Sequence, residues 1–198
     1  MAIKVGINGF GRVGRLVYRA IRALHAGRIQ VAVNDIGDPA VITQLLKYDT
    51  NYGRFPGEVR KTADGFVADG EQVRIFAERD PARLPWKALE VDVVVESTGL
   101  FREASKARAH LDAGARKVII TAPAKHEDLT VVLGVNERAY DPAKHHIISN
   151  ASCTTNGLAP VAKVLFERFG IRRTRATRVR RRSTSFRLRR GQRKRWAS

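Results

Sequence analysis

A short apolar, β-branched run at residues 3–7 (IKVGI) leads without a break into NGFGRVGR, where Gly9, Gly11 and Gly14 make the pattern G-x-G-x-x-G. A helix pattern through Val13, Leu16, Val17, Ala20, Ile21 and Leu24 stops near Gly27, and a second apolar run at 29–33 ends in Asn34-Asp35. The glycines alone say little, but strand, glycine turn, helix, strand and acid in that order define a parallel unit built to hold a dinucleotide. Gly9 permits the tight turn, Gly11 lets backbone approach a pyrophosphate, and Gly14 lets the helix pack close on the sheet. The pyrophosphate then rests on the helix N-terminus, where N–H groups and dipole favour an anion. Asp35 lies 21 residues beyond Gly14, where such units place the acid that binds the adenosine ribose. A carboxylate there repels a 2′-phosphate, which favours NAD over NADP. The competing role for Asp35 is a cap on the turn that follows it.

The same alternation continues downstream. Asp38-Pro39 starts a helix through Val41, Ile42, Leu45 and Leu46, with Asp as cap and Pro at the first position. Between 50 and 76 the pattern changes to short runs separated by Asp64-Gly65 and Asp69-Gly70, which read as tight hairpins, with an irregular loop the alternative for the first run. Residues 77–86 are polar and proline-broken, hence a loop. A strand at 91–95, apolar but for Asp92, then runs into Glu96-Ser97-Thr98-Gly99, a small-residue turn suited to a ligand crevice at the carboxyl edge of a parallel sheet. A helix at 103–112 and strands at 117–121, 130–133 and 147–148 complete the series. The expected fold is α/β, a doubly wound and mostly parallel Rossmann sheet.

The last strand delivers the chain to SNASCTTN at 149–156, which holds the single cysteine. Leu158, Val161, Ala162, Leu165, Phe166 and Phe169 follow at the three-and-four spacing of one helix face. Ser152 or Thr154 is placed to cap that helix, setting Cys153 in or beside its first turn, where N–H groups and dipole favour a thiolate. The competing reading is a buried, inert cysteine.

One cysteine excludes an internal disulfide, no signal-peptide core is visible at the N-terminus, and no run approaches the ~20 apolar residues of a membrane span. These point to a cytoplasmic protein. The net charge of +18 suggests nucleic acid until its distribution is read. Residues 171–198 carry 12 Arg, 1 Lys and no acid, so 24 basic and 19 acidic residues remain in 1–170, an ordinary +5.

GINGFGRVGR, VNDI, LLKYDTNYGRF, ERDP, ESTGLF, KVIITAPAK and SNASCTTN, in that order, resemble phosphorylating glyceraldehyde-3-phosphate dehydrogenase over about residues 2–170. The resemblance implies an NAD-binding domain over 1–150, the start of a catalytic domain over 151–170, and an oxidoreductase of glycolysis and gluconeogenesis. It implies that Arg12 and Val13 meet the pyrophosphate by backbone, that Asp35 binds the adenosine ribose, and that Thr98 and Gly99 line the adenine and ribose side. Arg79 and Thr121 match further cofactor contacts. Cys153 matches the nucleophile, with Ser152 and Thr154 at substrate phosphate and hydroxyl positions. Glyceraldehyde 3-phosphate, inorganic phosphate and a homo-oligomer are the implied partners. No ligand-spaced His, Cys and carboxylate cluster suggests a metal.

The likeness is expected to stop at Gly170. The family's base histidine belongs near position 180, where this chain has Arg180, so little turnover is expected of the chain alone. Residues 171–198 read either as a segment that binds polyanions, giving a non-catalytic NAD- or RNA-binding protein, or as out-of-frame translation of a GC-rich gene. The abrupt stop and the excess of arginine over lysine favour the second. In either case thirteen like charges and few apolar residues predict disorder there.

Overall fold

The computed structural model describes residues 2–170. The expected disorder of the basic tail lies outside the described residues. The first unit forms as expected: β1 (Ile3–Asn8), α1 (Arg12–His25) and β2 (Ile29–Asn34), with β1 and β2 parallel from Ile3↔Ile29 to Asn8↔Asn34. α2 (Pro39–Lys47) follows, its Asp38 cap accepting from the Ala40 N–H at 2.7 Å. A small hairpin, β3 (Tyr48–Asp49) and β4 (Gly53–Arg54), stands apart from the main sheet. Then β5 (Val59–Thr62), β6 (Gly65–Ala68) and β7 (Glu71–Phe76) make an antiparallel meander through the two Asp-Gly turns. β7 also pairs parallel with β2, so the meander extends the main sheet and does not sit apart from it.

β8 (Val93–Glu96) begins two residues later than the apolar run: the Val91 N–H turns back to the Trp86 carbonyl, and Asp92 is the first residue to bond across to β1, at the Lys4 carbonyl. The helix expected over 103–112 is two short turns, α3 (Ala104–Ala107) and α4 (Ala109–Asp112), meeting at Arg108. β9 (Lys117–Ile120) follows. The expected strand at 130–133 shortens to β10 (Leu129–Thr130). The Asn136 side chain causes this, accepting from the Val132 N–H and donating to the Thr130 carbonyl, both at 2.8 Å. β11 (Ile147–Ser149) and α5 (Cys153–Phe169) close the described chain.

Among the described residues nine strands form one sheet in the order β10-β11-β9-β8-β1-β2-β7-β6-β5. Alternate residues feed two cores, one on each face. Val5, Ile7 and Val95 face a core with Phe10, Tyr18 and Leu46. Val94, Val118 and Ile147 face the other, with Leu84, Trp86 and Ala107. Trp86 comes from the polar loop yet is fully buried, its ring about 3 Å from where a Cβ on Gly6 would stand. In contrast, α5 buries none of its residues, and Leu158, Val161, Leu165, Phe166 and Phe169 are all exposed.

Candidate functional site

From β1 the chain passes to β2 on one side, while β8 lies on the other, so the strand order reverses between β1 and β8. Open α/β sheets bind ligands in the crevice outside the carboxyl ends at such a reversal.

The three glycines of the turn have three different surroundings. Gly9 has φ +88°, and a Cβ there would lie 2.7 Å from the Thr98 amide nitrogen. A Cβ on Gly14 would run into the Gly9 carbonyl and press on Ile7 and Ser97. Nothing lies within 4 Å of a Cβ built on Gly11, so this glycine faces open space. Gly11 is also the N-cap of α1, with no side-chain cap bond and no acid in the first turn. Arg12 and Val13 follow it, exposed, with their backbone N–H groups in the part of a helix that lacks internal partners. Free donors, a positive dipole and an unobstructed approach fit a diphosphate.

Asp35 at the end of β2 accepts from the Phe10 N–H at 2.6 Å and from the Gly37 N–H at 2.8 Å. It therefore caps its own turn and also ties β2 to the glycine turn. Each carboxylate oxygen still has a lone pair for a ribose hydroxyl. Residues 98 and 99 form the opposite wall, with Gly99 at φ +75° and the Thr98 N–H bonded to Glu96 Oε1 at 2.8 Å. Thr121 is one strand further out, its N–H and hydroxyl both donating to the Glu96 carbonyl. Arg79 is exposed on the loop after β7, beyond β2. There the Glu78 carboxyl is held below the usual range by the Asp80 N–H, helped by Arg83 and the Arg79 N–H.

Cys153 is the first residue of α5, and it is exposed, not buried. Ser152 is the cap: its Oγ accepts from the Thr155 N–H at 3.0 Å and lies 2.9 Å from the Thr154 hydroxyl. The chain turns into α5 through Ala151, a buried residue at φ +57°. That left-handed conformation is held by Ser149, which accepts from the Ala151 N–H and donates to the Ala122 carbonyl. The structure thus gathers Gly9, Gly11, Arg12, Val13, Asp35, Thr98 and Gly99 around one crevice. Cys153, Ser152 and Thr154 stand on the same sheet edge after β11, three strand positions from β1, or roughly 14 Å.

A buried polar group under the crevice escaped the sequence reasoning. Asn34, Asn8 and Glu96 are register partners at the carboxyl ends of β2, β1 and β8. Asn34 donates to Asn8 Oδ1 at 2.7 Å, and Asn8 donates to Glu96 Oε2 at 2.6 Å. His110 on α4, fully buried, lies 3.0 Å from the same oxygen through Nε2. Trp86 donates to His110 Nδ1 at 3.0 Å. Indole N–H is a donor only, so Nδ1 is bare, the ring proton sits on Nε2, and His110 donates to Glu96 as a neutral ring. The sequence signal was available: three apolar runs each end on Asn or Glu.

Known proteins resemble this chain in the same regions. Residues 3–104 match the family model described as glyceraldehyde 3-phosphate dehydrogenase, NAD binding domain. Residues 152–198 match that of the C-terminal domain of the same family. The second match runs past Gly170, where the likeness was expected to stop. Glyceraldehyde-3-phosphate dehydrogenase 2 of Streptomyces avermitilis is 57% identical over 171 residues, 86% of this chain and 51% of the relative. The Geobacillus stearothermophilus enzyme of that name is 56% identical over 180 residues, 90% and 53%. That of Thermotoga maritima is 56% identical over 169 residues, 85% and 50%. The chain spans about half the length of the curated relatives it matches.

Proposed function

The chain belongs to the glyceraldehyde 3-phosphate dehydrogenase family, and from that premise we propose that it binds NAD in the β1/β8 crevice and presents Cys153 as the nucleophile of an aldehyde oxidation. The observation that carries this reading is the open, uncapped N-terminus of α1 behind Gly11, flanked by Asp35 and the Thr98–Gly99 turn, with an exposed cysteine on the same sheet edge. Asp35 and Cys153 stand four strand positions apart, roughly 19 Å, a span suited to an extended dinucleotide.

In this reading the Arg12 and Val13 N–H groups hold the diphosphate and Asp35 accepts the adenosine ribose hydroxyls. Thr98 and Gly99 line the adenine and ribose side, and Arg79 and Thr121 add further cofactor contacts. The Cys153 thiolate adds to the carbonyl carbon of glyceraldehyde 3-phosphate, with Ser152 and Thr154 beside the substrate's phosphate and hydroxyl groups. NAD⁺, when bound, supplies the acceptor for the hydride leaving that carbon, and a thioester remains on Cys153. Inorganic phosphate attacks the thioester, an acyl phosphate departs, and the thiolate is restored. A sulfur nucleophile suits this task because it is reactive at neutral pH and leaves readily.

The domain division we infer is an NAD-binding unit over 1–150, a catalytic unit opening at 151–170, and the basic segment 171–198. The second family match, which begins at 152, supports the first of these boundaries. The assembly would be a homo-oligomer and the location cytoplasmic. Among the described residues no helix is long and apolar enough to cross a membrane.

Calorimetric titration of the full chain with NAD tests the reading. Asp35→Ala is expected to weaken NAD binding by about tenfold, the loss of one charge-assisted contact. Equal binding by both proteins would overturn the ribose assignment, and no binding by the unaltered chain would overturn the reading itself.

A further inference from the structure

We infer that Glu96 is a positioning residue for the dinucleotide, a carboxylate staple that sets the width of the crevice from beneath. This rests on the NAD reading above and deepens it. Glu96 is 1% exposed and ends β8 directly below the point where the strand order reverses. Its two oxygens serve opposite walls. Oε1 accepts from both the N–H and the hydroxyl of Thr98, on the β8 side. Oε2 accepts from Asn8, the residue immediately before Gly9, on the β1 side, and from His110. The two walls touch, since Gly9 has no room for a Cβ against the Thr98 amide. A shift of either oxygen therefore moves the glycine turn and the Thr98–Gly99 turn relative to each other.

The staple is anchored at both ends. On one side Trp86 fixes the His110 ring so that Nε2 donates. On the other, Asn8 is held by Asn34, which donates to the Glu78 carbonyl at 2.8 Å and accepts from the Glu78 N–H at 2.9 Å. The hydrogen-bonded row from His110 to Glu78 underlies the carboxyl ends of β8, β1 and β2 and reaches the loop after β7. Glu96 is the member of that row that faces only donors: two from Thr98, one from Asn8 and one from His110. A glutamine of the same shape cannot replace it, because its NH₂ must point at one of these donor pairs. The mismatch would open one wall while leaving the fold's apolar packing in place.

The test measures binding of NAD and of AMP to the full chain and to Glu96→Gln, with melting temperatures recorded in parallel. AMP probes the adenine and ribose side, where Thr98 and Gly99 stand, and NAD adds the nicotinamide half. Glu96→Gln is expected to lose about tenfold in affinity for both ligands at a temperature where both proteins are fully folded. Unchanged affinity of the folded variant for either ligand would overturn the inference, the signature of a role in stability alone. If the chain with Glu96 intact fails to bind NAD, the functional reading falls and takes this inference with it. Should Glu96→Gln not fold, Thr98→Val, which removes one arm of the staple and keeps the buried carboxylate, carries the same comparison and the same overturning results.

Discussion

The two ends of the carboxyl edge are finished to different degrees. Around β1, α1 and β8 every wall is backed by core: Tyr18, Phe10 and Phe66 pack ring to ring on one face, and Trp86 fills the other. At the cysteine end the backbone is set with equal care through Ser149, Ala151 and Ser152, yet the helix it launches lies nearly bare. Phe169 is 82% exposed and Leu158 69%. Lys163 ties α5 to the body, donating to the carbonyls of Gly134 at 2.7 Å and Val135 at 3.3 Å. Local chemistry is enough to place a cysteine at a helix start, but long-range burial is needed to hold that helix rigidly. The dinucleotide end has both, and the cysteine end has the first.

This contrast is open to direct attack. The largest effect is expected at Gly14, where a methyl group meets the Gly9 carbonyl with no flexible side chain to give way. Gly14→Ala should cost about 3 kcal/mol or more in urea unfolding, in the range of backbone overpacking. A loss under about 1 kcal/mol would show that the glycine turn is looser than its packing implies.

The next concerns Tyr18, whose phenol burial pushes up to about 12. Its pKa is raised on folding, so its contribution is complete below about 10, the unfolded value, and is lost as pH rises toward 12. The chain should lose roughly 2 kcal/mol of stability across that interval relative to Tyr18→Phe, with both followed by urea unfolding. Parallel pH profiles for the two proteins would contradict the burial of that hydroxyl.

The smallest stability effect belongs to the bare helix. Phe169→Ser and Leu158→Ser should each change stability by no more than about 0.5 kcal/mol, as exposed positions do. Light scattering at raised concentration should fall, because the two changes remove exposed apolar surface. A large stability loss from either would mean that α5 is packed, and the comparison between the two ends would fail.

What sequence alone revealed follows the same division. The glycine turn, the Asp38 cap and the Asp-Gly hairpins are short-range devices whose partners lie within a few residues, and each formed where its pattern stood. The split at Arg108 and the shortened β10 depend on tertiary contacts and on one side chain, Asn136, that periodicity does not register. The row through Glu96 joins residues 88 apart in the chain to Asn8 and 14 apart to His110, so no local window contains it. Within the site, Gly9, Gly11 and Asp35 were legible because the motif carries its own physical reasons. Thr98 was legible as part of a crevice turn, but its adenine-side role and the cofactor contact of Thr121 came only from resemblance. Ending the likeness at Gly170 rested on the absence of further family motifs and of the histidine expected near 180, whereas the family match continues through 198.

The order of the sheet has one more consequence, for how copies of this molecule can meet. Among the described residues its two outer strands are β5 and β10. β5 is flanked and occupied by exposed Glu58, Arg60 and Lys61, and β10 is two residues long. Neither offers the long, flat, uncharged ladder that recruits a strand from a neighbour. Edge-to-edge growth of the described sheet is thus disfavoured at both rims.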